Sequence, residues 1–526
     1  MKRRDFLRQT LPASVILPGL FNGFSLNALT DQSLLYKALM LPTTATDNVL
    51  VLIQLNGGND GLNTIIPLEY YSNYFNARSN VAIPENKVLS LTGTNKIGLH
   101  PAMTGVQSMF NDGKVSIIQS AGYPSPNFSH FRATDIWMSG SDSNQFLQSG
   151  WMGRYLNYEY PNFPNGYPNT TMTDPLAIQI GSVTSFTLQG PSVSMGMSIS
   201  NPTSFYNLLN GVQDPAPNTP AGKELTYIRT VSQQTQQYAQ VVKDAAAKVT
   251  VQSSYPSNNS LADQLKIVAR LIKGGLKTRV YMVSMGGFDT HASQVVSTDT
   301  TIGTHATLLQ RVSDAVKAFQ DDLKFLSVED RVLGMTFSEF GRRIKSNGST
   351  GTDHGSAAPM FVFGKKVVPG IIGVTPTISA SVSVNENIPY QYDFRSVYAS
   401  ILEHWLCVDN TALQTVLLKN YQSLPIIHSS ACKPSNPNNS GNNLITNYPN
   451  PFTSKTTISF YSEGGYTLVQ IIDPLGRVIK HVIDQNYTAA GTYTAQFDSE
   501  SLPTGVYYAR LQNNAIQQVL PMLKVR

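Results

Sequence analysis

The amino-acid sequence predicts an α/β domain with a largely parallel central sheet, followed by a small β-sandwich. Near-continuous apolar runs of strand length recur between residues 47 and 430, as expected of strands covered on both faces. A helical repeat separates two of these runs, so strand, helix and strand form a crossover unit. After Cys432 the composition changes abruptly and short alternating runs follow.

Five apolar runs define the predicted sheet, and the first of them is the most continuous. The helical repeat runs from Leu308 to Leu323, with apolar residues at steps of three and four. Two further helices are predicted, over Glu224–Val249 and over Leu261–Lys273, the latter stopped by two glycines. The five strand runs are Asn48–Leu55, Val115–Gln119, Arg279–Ser284, Val332–Phe337 and Met360–Phe363.

Composition narrows the possible functions. The chain has 526 residues, of which 41% are hydrophobic and 13% charged, and its net charge is +5. Because the basic residues beyond the first ten are scattered, nucleic acid is not a predicted partner. Cys407 and Cys432 are too few for a disulfide scaffold but could pair once in an oxidising compartment. Beyond the N-terminus no apolar run approaches the roughly 18 residues of a membrane span.

Residues 1–30 form a predicted export signal. Lys2, Arg3 and Arg4 precede a mildly apolar stretch, Leu11–Phe21, that is broken by prolines. The order of Arg3–Leu7 resembles the twin-arginine signal of bacteria, which implies passage of the folded chain through the twin-arginine translocase. The alternative, a basic tail of a cytosolic protein, seldom continues into an apolar block.

The C-terminal part reads as a linker, residues 431–445, and a β-sandwich, residues 446–526. The linker is rich in Pro, Asn, Ser and Gly. Tyr448–Phe452, Asp473–Arg477 and Leu502–Tyr507 resemble motifs of the type A sorting domain of the type IX secretion system of Bacteroidetes. The resemblance implies the type IX machinery as a partner and a cell-surface or secreted location. A carbohydrate-binding or adhesive sandwich is the alternative on fold alone.

Polar segments that contain glycine follow four of the five apolar runs. Because ligands of open α/β sheets bind at the carboxyl ends of strands, these segments are expected to meet at one edge. The segments are Asn56–Gly61, the stretch from Gly122 to Asn127–Arg132, Gly286–His291, and Ser338–Arg343 with its continuation Gly351–Gly355.

Carboxylates and imidazoles in these segments indicate a cation site. Mixed oxygen and nitrogen ligands suit Zn²⁺ or Mn²⁺, and two such ions could clamp a tetrahedral anion and activate a water or Ser129. Tight turns, capping pairs or a solvated helix face are the structural alternatives. The predicted metal ligands are Asp60, Asp289, His291, Glu339 and His354; the catalytic candidates are Ser129 and His130; the anion-binding candidates are Arg132, Arg342 and Arg343.

These residues also carry a family resemblance. The chain resembles the domain-of-unknown-function 1501 family, which is exported and similar at fold level to the alkaline phosphatase and sulfatase superfamily. The resemblance implies an alkaline-phosphatase-like sandwich for residues 47–430. The matching motifs are Leu52–Pro67, Gly98–Pro101, Asn127–Phe131, Gly150–Tyr155, Gly286–His291 and Thr336–Phe363.

The superfamily pattern implies a role for several positions. Asp60 occupies the place of the first metal-binding aspartate, and Ser129 that of the nucleophile. Asp289, His291 and His354 resemble further metal ligands. Ser338–Phe340 stands where an Asp-His pair is normal; Glu339 could still bind a metal but Phe340 cannot, so the second metal site is expected to be altered or lost. Neither cysteine lies in a Cys-X-Pro-X-Arg motif, so formylglycine-dependent chemistry is not expected.

Three functions are compatible with these features. The first is an exported metal-dependent hydrolase of phosphate or sulfate esters, including those of polysaccharides. The second is a surface protein that binds anionic glycans in a degenerate hydrolase cleft without turnover. The third, a structural envelope component, is disfavoured because structural domains rarely gather so many ionisable residues at strand ends.

Overall fold

A computed structural model of the chain describes residues 20–21, 24–25, 46–201, 238–432 and 445–525, except residues 463, 474–476, 490, 500 and 514–515. The chain divides into two compact units, Met1–Cys432 and Lys433–Arg526. The predicted export signal lies outside the described residues apart from β1 (Leu20–Phe21) and β2 (Phe24–Ser25), which pair with each other. The predicted linker lies outside them except at residues 431, 432 and 445.

The larger unit alternates strands and helices. The predicted helix Glu224–Val249 lies outside the described residues as far as residue 237, and residues 238–247 are helical in this unit. Its strands are β3 (Val49–Leu55), β4 (Ile65–Ile66), β5 (Leu89–Leu91), β6 (Thr94–Leu99), β7 (Val115–Gly122), β8 (Ala177–Ile180), β9 (Met197–Ile199), β10 (Val280–Met285), β11 (Val332–Phe337), β12 (Gly341–Ser346), β13 (Thr352–Gly355), β14 (Ala358–Phe363), β15 (Gly370–Ile372) and β16 (Tyr392–Asp393). Its helices are α1 (Gly61–Thr64), α2 (Tyr71–Arg78), α3 (Thr104–Asn111), α4 (His130–Ser139), α5 (Trp151–Glu159), α6 (Ser260–Lys273), α7 (Thr304–Phe325), α8 (Phe394–His404) and α9 (Asn410–Leu417).

Nine strands form one mixed, largely parallel sheet. Their order is β15, β7, β14, β11, β3, β10, β8, β9, with β16 also paired to β7. The central strand β3 is parallel to both neighbours, β10 and β11. Only β14 is antiparallel to its neighbours among the described strands of this sheet. It follows β11 through the hairpin β12–β13 instead of a crossover helix, and such short connections join antiparallel strands. The predicted α/β fold is confirmed.

Helices cover both faces of the sheet, which explains the continuous apolar run of β3. All seven residues of β3 are buried, and successive side chains point to opposite faces. Val49, Val51 and Ile53 pack with α3, α6 and α7 in one core. Leu50 and Leu52 pack with α4, α5, α8 and α9 in the other.

Local signals set the ends of several helices. The side chain of Asn259 accepts a hydrogen bond from the backbone N–H of Ala262 and so caps α6. The same helix ends at Gly274, close to the predicted stop. The side chain of Asp393 accepts from the backbone N–H of Arg395 at the start of α8.

The smaller unit is a sandwich of two antiparallel sheets. One sheet has the order β17–β18–β21 and the other β20–β19–β22–β23. Buried residues from both sheets, including Ile458 and Phe460 of the first and Val469 and Leu511 of the second, form a single core. Two strands at the ends of this unit, β17 and β23, lie outside the alternating runs that predict strands here, which are Thr456–Phe460, Tyr466–Ile472, Val478–Ile483, Gly491–Phe497 and Val506–Leu511. The strands are β17 (Ile445–Tyr448), β18 (Lys455–Ser462), β19 (Gly465–Ile472), β20 (Val478–Tyr487), β21 (Gly491–Asp498), β22 (Gly505–Asn513) and β23 (Ile516–Lys524).

A disulfide joins Cys407 to Cys432 across 25 positions of sequence. Replacing both cysteines by serine should lower the free energy of unfolding of the larger unit by about 3 kcal/mol, because the closed loop no longer restricts the unfolded chain. Tryptophan fluorescence during urea unfolding measures this, since all three tryptophans lie in that unit. A reducing agent should destabilise the wild type and leave the double variant unchanged; equal responses would contradict the prediction.

Candidate metal centre

Parallel neighbours β10, β3 and β11 bring three of the polar segments to one edge of the sheet. The backbone N–H of Gly57 donates to Oε1 of Glu339 at 2.8 Å. The backbone N–H of Phe288 donates to the carbonyl oxygen of Asn56 at 3.1 Å. Each contact links segments that follow different strands, so the expected convergence is present here.

Three imidazole rings surround the carboxylate of Asp289. Nε2 of His291 and Nε2 of His354 each lie 3.2 Å from Oδ1 of Asp289, and the two nitrogens are 2.8 Å apart. Nε2 of His130 lies 3.4 Å from Oδ2 of the same carboxylate. Ligand atoms of His130, Asp289 and His354 all lie within 4.8 Å of one another. The site therefore unites three of the predicted ligands and adds His130, which the sequence predicted as a catalytic residue.

On the far side of each ring, Nδ1 lies against an oxygen of the protein. An oxygen acceptor at Nδ1 keeps the proton on that nitrogen, so the lone pair of Nε2 faces the centre. This arrangement is typical of histidines that bind metals, whose second nitrogen donates to a carboxylate or a backbone carbonyl. The pairs are His130 with Oε1 of Glu339 at 2.9 Å, His291 with Oδ1 of Asp353 at 3.1 Å, and His354 with the carbonyl oxygen of Phe128 at 2.7 Å.

The ionisation of the cluster favours a cation at its centre. Partial burial opposes the charge on Asp289, but the hydrogen bond and the positive charge of Arg342 outweigh it and lower the pKa to about 2. Burial also lowers the pKa of His354, which favours its neutral form. Lone pairs and a carboxylate would thus face one another at close range, an arrangement that a cation stabilises.

The spacing of the ligand atoms suits a small divalent ion. Around a tetrahedral Zn²⁺, with bonds of about 2.0–2.2 Å, neighbouring ligand atoms lie roughly 3.3 Å apart. Oδ1 of Asp289 and Nε2 of His291 and His354 form a triangle with sides of 2.8, 3.2 and 3.2 Å. Three imidazoles and one carboxylate are a ligand set that suits zinc better than magnesium or calcium. The residues therefore fit the cation that the sequence predicts.

Arg342 connects the first glycine turn to Asp289. Its buried guanidinium donates to Oδ1 of Asp289 at 2.7 Å, to the carbonyl oxygen of Gly58 at 2.8 Å, to that of Gly57 and to that of Thr352 at 2.8 Å. Gly57 has φ +121°, and a Cβ there would lie 2.3 Å from the backbone nitrogen of Asp289. Arg342 was predicted to bind an anion, but its N–H groups are occupied by protein oxygens.

Asp60 lies outside the cluster, although the sequence predicts it as a metal ligand. Its side chain is fully buried, and Oδ2 lies 2.7 Å from Nη1 of Arg78 and 2.7 Å from Nε2 of Gln294. Burial alone would raise the pKa of Asp60, but the charge of Arg78 and the hydrogen bonds lower it. Asp60 is therefore the partner of a buried arginine, and we leave it out of the proposed metal ligands. The sequence gives no signal for this pairing, because Arg78 lies 18 residues further along the chain, at the end of α2.

Glu339 and Phe340 line the site without contributing a ligand atom to the cluster. Oε1 of Glu339 accepts from Gly57 and lies against His130, so this carboxylate orients a ring instead of joining the three-ligand group. The ring of Phe340 lies 4.9 Å from that of His130 and 4.4 Å from that of His354. Glu339, predicted as a metal ligand, is therefore left out of the proposed ligands.

The two other predicted anion-binding residues, Arg132 and Arg343, differ in whether protein oxygens already occupy their guanidinium groups. Arg132 forms an ion pair with Asp135, donates to carbonyl oxygens of residues 142, 143 and 145, and lies 4.0 Å from the ring of Phe146. It therefore fixes a loop instead of holding an anion. Arg343 is 28% exposed and lies 3.7 Å from Asp353, so it stays a candidate.

Ser129, predicted as a catalytic residue, directly precedes His130 of the cluster. It is the residue before α4, is exposed, and makes no capping hydrogen bond with its side chain. Its two chain neighbours, Phe128 and His130, both contact the cluster. The first N–H groups of α4 point toward this end of the helix, where an anion is stabilised.

Sequence reasoning missed two groups that hold the histidines. Asp353 precedes His354 directly and yet holds His291. The carbonyl oxygen of Phe128 holds His354. The adjacency of Asp353 to a predicted ligand was a usable signal, whereas a backbone carbonyl carries none in the sequence.

Fold and site together define an α/β protein with a candidate metal centre at the carboxyl ends of its parallel strands. The chain belongs to the family described as "Protein of unknown function (DUF1501)", which matches residues 47–414. Residues 446–523 match the secretion system C-terminal sorting domain. The chain is therefore a substrate of the type IX secretion machinery and is exported to the cell surface or released. Among the described residues no helix has the length and apolar character for crossing a bilayer.

Solved structures similar to this chain include sulfatases and a member of the alkaline phosphatase superfamily. PsFucS1 sulfatase from Pseudoalteromonas sp. is 10% identical, with 89% of this chain and 86% of that chain covered and a TM-score of 0.31. An alkaline phosphatase superfamily protein from Vibrio parahaemolyticus is 9% identical, with 83% and 79% covered and a TM-score of 0.29. Similarity at this level says nothing about substrate. No curated protein matches the chain.

Proposed function

We propose that this protein is an exported hydrolase of phosphate or sulfate esters that depends on one divalent cation, held by His130, Asp289, His291 and His354. The supporting observation is the convergence of three Nε2 atoms on one carboxylate while each Nδ1 is held by an oxygen of the protein. Histidines whose ring nitrogens are arranged in this way bind metal ions in proteins of many folds. Zinc is the preferred ion, and manganese the second choice.

When bound, the cation supplies a Lewis acid that stabilises negative charge on an ester oxygen. Ser129 is the proposed nucleophile: its Oγ bonds to phosphorus or sulfur as the bond to the alcohol oxygen breaks, and its proton passes through solvent to the leaving alkoxide. Water then bonds to the phosphorus or sulfur, the bond to Oγ breaks, Oγ regains a proton and the anion is released. The N-terminal end of α4 and Arg343 face negative charge in this arrangement. His130, predicted as catalytic, is assigned here to cation binding.

Replacing Ser129 by alanine tests the proposal. The zinc-loaded full chain should hydrolyse an aryl phosphate or an aryl sulfate, and Ser129→Ala should lower turnover by at least about 10³-fold, because the nucleophile is lost. Zinc affinity should not change, since Ser129 is not among the ligands. Ser125→Ala, which alters an exposed serine of the same loop, is the matched control and should keep full activity. A wild type that binds zinc but turns over neither ester class would contradict hydrolysis.

A second candidate function is the binding of anionic glycans without turnover. It is supported by Phe340, which stands where the superfamily has a ligand and whose ring packs against those of His130 and His354. Binding of a sulfated polysaccharide that persists in Ser129→Ala and yields no product would favour this function.

Export is proposed to occur in two stages. The sorting domain serves passage across the outer membrane, and the Arg3–Leu7 motif supports earlier passage through the twin-arginine translocase. Because that translocase carries folded chains, the cation could be acquired in the cytoplasm.

A further inference from the structure

Gln294 joins the two segments that carry most of the proposed cation ligands. Its side chain is completely buried. Oε1 accepts hydrogen bonds from the hydroxyl of Thr290 at 3.1 Å and from the hydroxyl of Thr352 at 2.8 Å. Nε2 donates to Oδ2 of Asp60 at 2.7 Å. One amide therefore contacts three different segments of the chain.

Both threonines lie beside ligands. Thr290 stands between Asp289 and His291, and Thr352 comes two residues before His354. The backbone N–H of Thr352 also donates to the carbonyl oxygen of Thr290 at 3.2 Å. The separation of these two segments decides whether Nε2 of His291 and Nε2 of His354 reach the same point. A shift of either threonine would move a ligand atom with it.

The ion pair of Asp60 fixes which way the amide points. An ionised carboxylate can only accept hydrogen bonds, so Nε2 of Gln294 must face Asp60 and Oε1 must face the threonine hydroxyls. Asp60 is held by Arg78, whose Nε also donates to the carbonyl oxygen of Ile344 in β12 at 2.8 Å. The strand β12 pairs with β13, which carries His354. All four of Asp60, Arg78, Gln294 and Thr352 are fully buried.

We propose that Gln294 is a positioning residue of the cation site, and that the buried pair of Asp60 and Arg78 sets its orientation. This inference rests on the proposed function, since it presumes that the cluster binds a cation. It gives Asp60 a role at the site without direct coordination. The amide acts by holding the ligand-bearing segments together, so its removal should weaken cation binding even though no ligand atom is lost.

Zinc titration of the full chain against a chromophoric chelator tests the inference. Gln294→Ala should weaken zinc binding by about 10–100-fold, as is typical when a partner of a metal ligand is lost. Gln320→Ala, at a buried glutamine of α7 whose Nε2 donates to Oε2 of Glu329 at 3.4 Å, is the matched control. It should lower the melting temperature while keeping the zinc affinity of the wild type. Equal zinc affinities of Gln294→Ala and wild type, or equal losses in both variants, would overturn the inference.

A second pair of variants decides the question if Gln294→Ala does not fold. Thr352→Val removes one hydroxyl at nearly constant volume, and Thr352→Ser keeps it. Zinc affinity should fall by about 10-fold in the valine variant and be close to that of the wild type in the serine variant. Equal affinities of the two would overturn the inference. A wild type that binds no zinc would instead overturn the proposed cation site itself.

Discussion

Asp289→Asn is expected to abolish tight zinc binding by this protein. The carboxylate of Asp289 faces all three imidazoles, and an amide oxygen is a much weaker ligand without a charge. The loss of affinity should exceed about 100-fold, more than is typical for loss of an outer partner. Asparagine keeps an oxygen acceptor for Arg342, so the fold should persist. Competition with a chromophoric chelator measures the affinity.

Asp321→Asn provides the matched control for this variant. The side chain of Asp321 is 53% exposed and that of Asp289 47%, and both pair with a basic residue. Zinc binding and melting temperature of Asp321→Asn should equal those of the wild type. Unchanged zinc affinity in Asp289→Asn would show that the ion, if bound, lies elsewhere.

Arg78→Met should lower the free energy of unfolding of the larger unit more than any other substitution proposed for this protein. It leaves the carboxylate of Asp60 buried and without its main cationic partner. Breaking a buried ion pair on one side costs about 3–5 kcal/mol. Urea unfolding followed by tryptophan fluorescence measures the effect in the larger unit. Arg331→Met, which breaks a pair whose aspartate is 71% exposed, should cost less than about 1 kcal/mol.

The stability difference between the wild type and Arg78→Met should depend on pH, in a direction that follows from the pKa of Asp60. In the wild type the folded pKa of Asp60 lies below its usual 3.8, so its stabilising contribution is present above that value and is lost as pH falls through the folded pKa. Without Arg78, burial should raise the folded pKa of Asp60, and protonation then favours the folded variant. The stability gap should therefore shrink as pH falls from 7 toward about 4. A gap that widens on acidification would contradict the assignment.

Much of the fold followed from the sequence because burial on both faces leaves a clear pattern. The run Val332–Phe337 has the predicted bounds, and α7 extends the predicted repeat by only a few residues at each end. The orientation of β14 did not follow, because it depends on the hairpin β12–β13, whose polar residues read as a loop. The outermost strands of the sandwich were missed because Ile445–Tyr448 is short and Ile516–Lys524 contains a proline.

The site was predictable where spacing alone fixes geometry. Asp289 and His291 are two residues apart and their side chains face the same point. The roles of Asp60 and Arg342 were not predictable, because the partners of these side chains come from distant segments. Arg132 instead pairs with residues of its own helix and the loop after it. The sequence predicted His130 as a catalytic residue and not as a metal ligand, since the orientation of its ring depends on Glu339 across the sheet edge.

The most direct test of the metal centre is anomalous scattering at the zinc absorption edge from crystals of the full chain grown with zinc. We predict a single strong peak in the larger unit, within bonding distance of Oδ1 or Oδ2 of Asp289 and of the Nε2 atoms of His291 and His354, with His130 completing the site. A zinc-treated crystal with no peak among these atoms would contradict the account.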